Sequence, residues 1–209
     1  MTKIDVLLIG GPPGAGKSTL GRALAANLGF GSLTVDDLAI AGRVLTTPET
    51  HPALHLVRRV GYRRYFTDGP AEKLIADSIA AEQMMWPVVE RVISSHLESA
   101  APVVIDWWLL SPKTVAQLED SRIASIWLHI DPVALEERER LNTKWLARFS
   151  DPERMLANFM ARSIWRNDLV AAQAQEAGLP VLELNGHEPV EEIVAAALAL
   201  LAGRRGATG

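Results

Sequence analysis

Along the chain, short apolar runs alternate with longer segments whose apolar residues recur at three- and four-residue intervals. The runs at residues 5–9, 32–35, 102–106, 123–130 and 181–184 are rich in Val, Leu and Ile and read as strands. Over residues 17–28, Leu20, Ala23, Leu24 and Leu28 fall on one helical face. Further helices are expected at 38–45, 55–66, 71–99 and 188–201, the long one kinked at Pro87. Ser111-Pro112, Asp131-Pro132 and Asp151-Pro152 each set a capping side chain before a proline at the first helical position, which marks three more helix starts. Gly178 stops the helix opened by Pro152. Strands spaced by helices pair in parallel, so the expected fold is α/β, a three-layer sandwich around a five-stranded parallel sheet. One domain would span residues 1–203, with 204–209 as a frayed tail.

Composition narrows the class. Hydrophobic residues make up 48% of the 209, enough for a full core. A net charge of −4 gives no global pull toward nucleic acid or an anionic membrane. Without cysteine there is neither a disulfide nor a thiolate metal site. No apolar run approaches the roughly 20 residues of a spanning helix. The first run leads straight into a glycine-rich turn, which is not the pattern of a secretion signal. A cytoplasmic monomer or homodimer is the expectation.

That glycine-rich turn carries the clearest chemistry. Gly11, Pro12, Pro13, Gly14, Ala15, Gly16, Lys17 and Ser18 fit the phosphate-loop spacing, between a strand and a helix. Glycines let successive backbone N–H groups turn inward around a phosphate, and the helix N-terminus adds aligned dipoles. Lys17 would then reach the outer phosphates, and the Ser18 hydroxyl a Mg²⁺ ion, with Thr19 beside it on the nucleotide.

In a parallel sheet, ligands gather beyond the carboxyl ends of the strands. The second strand ends at Asp36 and Asp37, the third at Asp106. A hydroxyl that attacks a phosphoryl group needs a carboxylate to orient it and accept its proton, and Asp36 is the candidate. The alternative for this pair is helix capping, with Asp37 the better suited. Asp106, closing an apolar strand, would hold the Mg²⁺ water shell or Ser18. Trp107 and Trp108 follow it and would either wall an acceptor pocket against water or pack in the core.

Cations come later. Arg140, Lys144 and Arg148 are spaced at i, i+4, i+8, and Arg154, Arg162 and Arg166 lie near one face of the next helix. A helix–turn–helix over about 138–155 with cations on both arms would make a closing lid, the alternative being a solvated face paired to Glu136, Glu137 and Glu139. Arg43 and the Arg58–Arg64 cluster, within a helical insertion at 38–99, would suit an anionic acceptor or remain an exposed basic face. His51 and His55 lack a third metal ligand.

In this order the motifs resemble the P-loop kinases of small molecules, a group with shikimate, gluconate and nucleoside-monophosphate kinases and chloramphenicol phosphotransferase. The resemblance implies ATP and Mg²⁺ as cofactors and a small-molecule acceptor. It also implies Asp36 at the acceptor hydroxyl and Arg140, Arg148 and Arg162 closing on ATP. Proteins similar to 2-phosphoglycerate kinase share more: tracts like residues 36–43 and 51–55, and the Arg148-Phe149 pair. They tend to have Gly after the strand acid where this chain has Trp107, which leaves the acceptor open, with Arg43 and Trp108 as candidate contacts. A nucleotide-dependent switch and a polynucleotide end kinase remain as alternatives.

Overall fold

The computed structural model describes residues 3–206, with side chains through Gly203. The five apolar runs become strands β1 (Val6–Gly10), β2 (Gly31–Thr34), β3 (Val103–Asp106), β4 (Ile123–Ile130) and β5 (Val181–Leu184). They pair in parallel in the order β2-β3-β1-β4-β5. Successive side chains of a strand point to opposite faces, so β1 serves two cores. Leu7 and Ile9 pack with Leu20 and Leu24 of α1 (Lys17–Leu28) and with Val194, Ala197 and Leu201 of α9 (Val190–Gly206). Val6 and Leu8 face Met85, Val89 and Ile93 of α5 (Ala71–Ser99). The register sets Asp106 beside Ile9 on one side and Thr34 on the other, so the ends of β1, β2 and β3 open onto one crevice.

Several expectations shift. β2 ends one residue early, and α2 (Val35–Leu45) takes Asp36 and Asp37 into its first turn, where their charges complement the helix dipole. The helix expected over 55–66 is two, α3 (Pro52–Val60) and α4 (Tyr62–Thr67), because Gly61 turns the chain at φ 87°. α5 continues through Pro87. Of the three proline-marked starts, Ser111 caps the single turn α6 (Pro112–Val115) and Asp131 caps α7 (Pro132–Asn142) through Val133 and Ala134 N–H. Asp151 makes no side-chain cap for α8 (Pro152–Glu176). A short 3₁₀ helix, Lys144–Arg148, lies between α7 and α8. The expected tail at 204–209 is helical through Gly206, since α9 outruns its apolar pattern, and 207–209 lie outside the described residues.

Arg166, grouped in the sequence with the lid cations, is instead 1% exposed. Its guanidinium donates to the carbonyls of Trp108 (2.9 Å) and Leu110 and to Glu82 of α5 (3.4 Å), which pins the segment after β3 between two helices. Arg166→Met is expected to strand these partners. A loss of about 3 kcal/mol, or roughly 6–12 °C in Tm for a chain of this size, should appear in a thermal melt.

Candidate active site

The phosphate loop is a turn whose backbone needs glycine at set positions. Gly14 and Gly16 sit at φ 79° and 91°, the left-handed region, and Gly16 is the residue from which α1 starts. Lys17 is buried, and its Nζ donates to the Pro12 carbonyl at 2.7 Å, folding the charge back across the loop. Burial pulls the Lys17 ammonium down to about 8, against the opposing fields of Asp106 and Asp36. Ser18 Oγ donates to Asp106 Oδ1 at 2.7 Å. Burial pushes the Asp106 carboxyl upward, while that hydrogen bond and Lys17 hold it down.

Two clefts flank the loop. One, of about 440 Å³, has Pro13, Gly14, Lys17 and Ser18 on one wall and Asp36, Trp108 and Arg162 among the residues facing them. Asp36 opens to solvent in this cleft, yet protein on its other sides desolvates it enough to raise its pKa, with Lys17 pulling the other way and the Trp107 side chain as a hydrogen-bond donor. The two tryptophans divide the roles proposed for them: Trp107 is buried in the core and Trp108 half-exposed on the cleft. The second cleft, of about 210 Å³, lies beyond Ala15, Gly16 and Thr19. Leu20, Leu128, Val190 and Ile193 give it an apolar floor, and Arg138 and Glu188 edge it.

Not every expected cation reaches these clefts. Arg162 does, from the middle of α8. Arg140 is exposed and paired to Glu136 and Glu153, at 2.9 and 3.4 Å. Arg148 lies over the rings of Trp145 and Phe149, 5.2 Å from each centroid. Arg43 is half-buried on α2, near enough to Arg58 and Asp36 to feel both charges, and its Nε has no hydrogen-bond partner. His55 faces Thr46 and His51 faces Thr50, so each ring has a hydroxyl neighbour.

Two residues on α7 were missed. Arg138 donates to the Gly186 carbonyl and reaches over Gly16 at the second cleft. Glu139 is 4% exposed, and its carboxylate abuts Gly14, where a Cβ would stand 2.1 Å from Oε1. Burial raises the Glu139 pKa, with Asn142 and Lys17 opposing. Their only sequence signal was position: α7 follows the carboxyl end of β4, the strand beside β1, and so starts next to the loop.

The same fold recurs in known proteins. Shikimate kinase from Acinetobacter baumannii, solved with shikimate, superposes with a TM-score of 0.57 at 17% identity, over 97% of this chain and 96% of that one. A gluconokinase from Sinorhizobium meliloti 1021 gives 0.57 at 20% identity, over 96% and 93%. A sugar kinase from Janibacter sp. HTCC2649 gives 0.59 at 16%, over 95% of each. At such identities the likeness establishes the fold. No curated protein matches the sequence. The sequence profile of the AAA domain matches residues 6–162, from β1 to Arg162 on α8, and by that match the chain belongs to the AAA domain family.

Proposed function

We propose that the protein is a kinase that transfers the γ-phosphoryl group of ATP to a hydroxyl of a small molecule. The observation that carries this reading is a single cleft with Lys17 and Ser18 on one wall and Asp36 on the other. A switch or motor needs only the first wall. The nucleotide's base and ribose would occupy the second cleft, between its apolar floor and Arg138. Mg²⁺ suits the donor set, since it prefers a few hard oxygen ligands from protein and takes the rest from phosphate and water. Ser18 Oγ and Asp106 Oδ1 are such a pair. When bound, it would neutralise charge on the phosphate oxygens.

In the reaction, the Asp36 carboxylate orients the acceptor hydroxyl and takes its proton as the oxygen–phosphorus bond forms. The bond to the bridging oxygen of ADP breaks, and ADP leaves with that electron pair. Lys17 exchanges the Pro12 carbonyl for the outer phosphates. Trp108 and the lid segment at about 138–155 keep water out, so the phosphoryl group reaches the acceptor rather than hydrolysing. No helix among the described residues is long and apolar enough to cross a membrane.

The test is ADP release across a panel of polyols, sugar acids, nucleosides and cyclic alcohols, with the product followed by phosphorus NMR. The expected result is ADP release that depends on one class of acceptor, with phosphate carried onto it. Release of free phosphate at a rate indifferent to every acceptor would mark a switch ATPase instead.

A further inference from the structure

The acceptor half of the first cleft is walled by aromatic rings. Tyr62, Tyr65 and Phe66 come from α4, Trp108 follows β3, and Phe159 lies on α8. The rings brace one another. Phe66 stands 5.1 Å from Tyr62, 5.0 Å from Tyr65 and 5.8 Å from Phe159, centroid to centroid. Trp145 of the 3₁₀ helix meets Tyr62 edge-on at 5.0 Å, which extends the aromatic wall toward the lid segment. The Arg162 guanidinium is held within it, 4.7 Å from the Trp108 ring and 5.0 Å from Phe159.

Beyond Lys17 and Ser18, which belong to the phosphate loop, the cleft presents Asp36, Arg162 and two tyrosine hydroxyls, and the Tyr65 hydroxyl is already turned to Arg162. A polyol buried here would set the hydroxyls that Asp36, Arg162 and Tyr62 do not reach against ring faces, and every unpaired hydroxyl weakens binding. A flat apolar ring gains instead, from contact area and from offset or edge-on packing against rings already held in place.

We propose that the acceptor is an aryl alcohol. Its ring packs against Trp108 and Phe159, and its single reacting hydroxyl reaches Asp36. This rests on the kinase reading and specifies its acceptor. Open-chain polyols are the class the wall disfavours.

The experiment is calorimetric titration of the full chain, with Mg²⁺ and a non-hydrolysable ATP analogue present, using 2-phenylethanol and benzyl alcohol against ribitol and gluconate. Phosphoryl transfer from ATP to the same four compounds is followed in parallel. The aryl alcohols are expected to bind at least about tenfold tighter than the polyols. Trp108→Ala and Phe159→Leu should each weaken aryl binding by about tenfold, in proteins whose melting curves confirm folding. Polyol binding as tight as aryl binding overturns the proposal. So does an absence of aryl binding, or aryl binding unchanged in both folded variants. Transfer separates the two readings. Aryl binding without transfer to any compound sinks the kinase reading and keeps the ligand class. Transfer to ribitol or gluconate alone does the reverse.

Discussion

Lys17→Met is expected to abolish phosphoryl transfer and, at the same time, to raise the melting temperature of the nucleotide-free protein. Lys17 is 8% exposed, and the one hydrogen bond of its ammonium goes to the Pro12 carbonyl. Among the described residues no carboxylate lies within ion-pair distance of it. Its pKa falls from 10.5 to about 8 because burial disfavours the charged form. A displacement of that size corresponds to a penalty on the order of 3 kcal/mol. Below about pH 8 both folded and unfolded chains carry the charge, so the penalty is complete. Between about 8 and 10.5 the folded chain releases the proton first, and stability rises with pH. Met keeps the stem and deletes the charge. The variant should therefore melt a few degrees higher near pH 7 without nucleotide, and the gap should close toward pH 10.5. Mg²⁺ and ATP should raise the wild-type melting temperature and leave the variant nearly unmoved, with transfer down by at least about a thousandfold. Scanning fluorimetry and a turnover assay measure both. A variant that melts lower than wild type near neutral pH would refute the burial penalty.

The phosphate-loop half of the candidate site was legible in the sequence because it is local. Loop glycines, Lys17 and Ser18 are consecutive, and strand, turn and helix around them are set by short-range patterns. Asp106 was legible for the same reason, as the acid that closes an apolar strand. The rest depends on what long helices do after they leave the sheet. Periodicity put Arg140, Arg148, Arg162 and Arg166 on faces of two helices but could not say what those faces met. Arg140 met Glu136 and Glu153, Arg148 met two rings, Arg166 met backbone carbonyls, and Arg162 alone turned into the first cleft. Arg138 and Glu139 sit between two charged neighbours in Glu137-Arg138-Glu139-Arg140, a string with no apolar marker for the buried side. Glu139 is the buried member because α7 leaves β4 with that side against Gly14. Of the aromatic wall only Trp108 was legible, since α4 brings Tyr62, Tyr65 and Phe66 to Phe159 and Trp108 across long stretches of chain.

Asp36→Asn is the sharper probe of what the cleft does, because two explanations of the same residue diverge on it. Asp36 lies in the first turn of α2, as does Asp37. If dipole complementation were its only work, removing either charge would cost about the same, some 0.3–1 kcal/mol, with no effect on catalysis. If Asp36 takes the acceptor's proton, Asn should lower the transfer rate by about 10²- to 10⁴-fold, with ATP binding nearly intact. Asp37→Asn should then retain transfer, which makes it the control for helix effects. The pH profile separates the readings again. Partial burial raises the Asp36 pKa above its ordinary 3.8, so the carboxylate is lost earlier as pH falls than it would be in water. Wild-type transfer should decline on the acid side through that raised titration. The limb should be absent from the residual activity of Asp36→Asn, which has no carboxyl to protonate. An Asn variant with a near wild-type rate and an unchanged acid limb would mean that proton acceptance lies elsewhere in the cleft, and that Asp36 serves only the helix it begins.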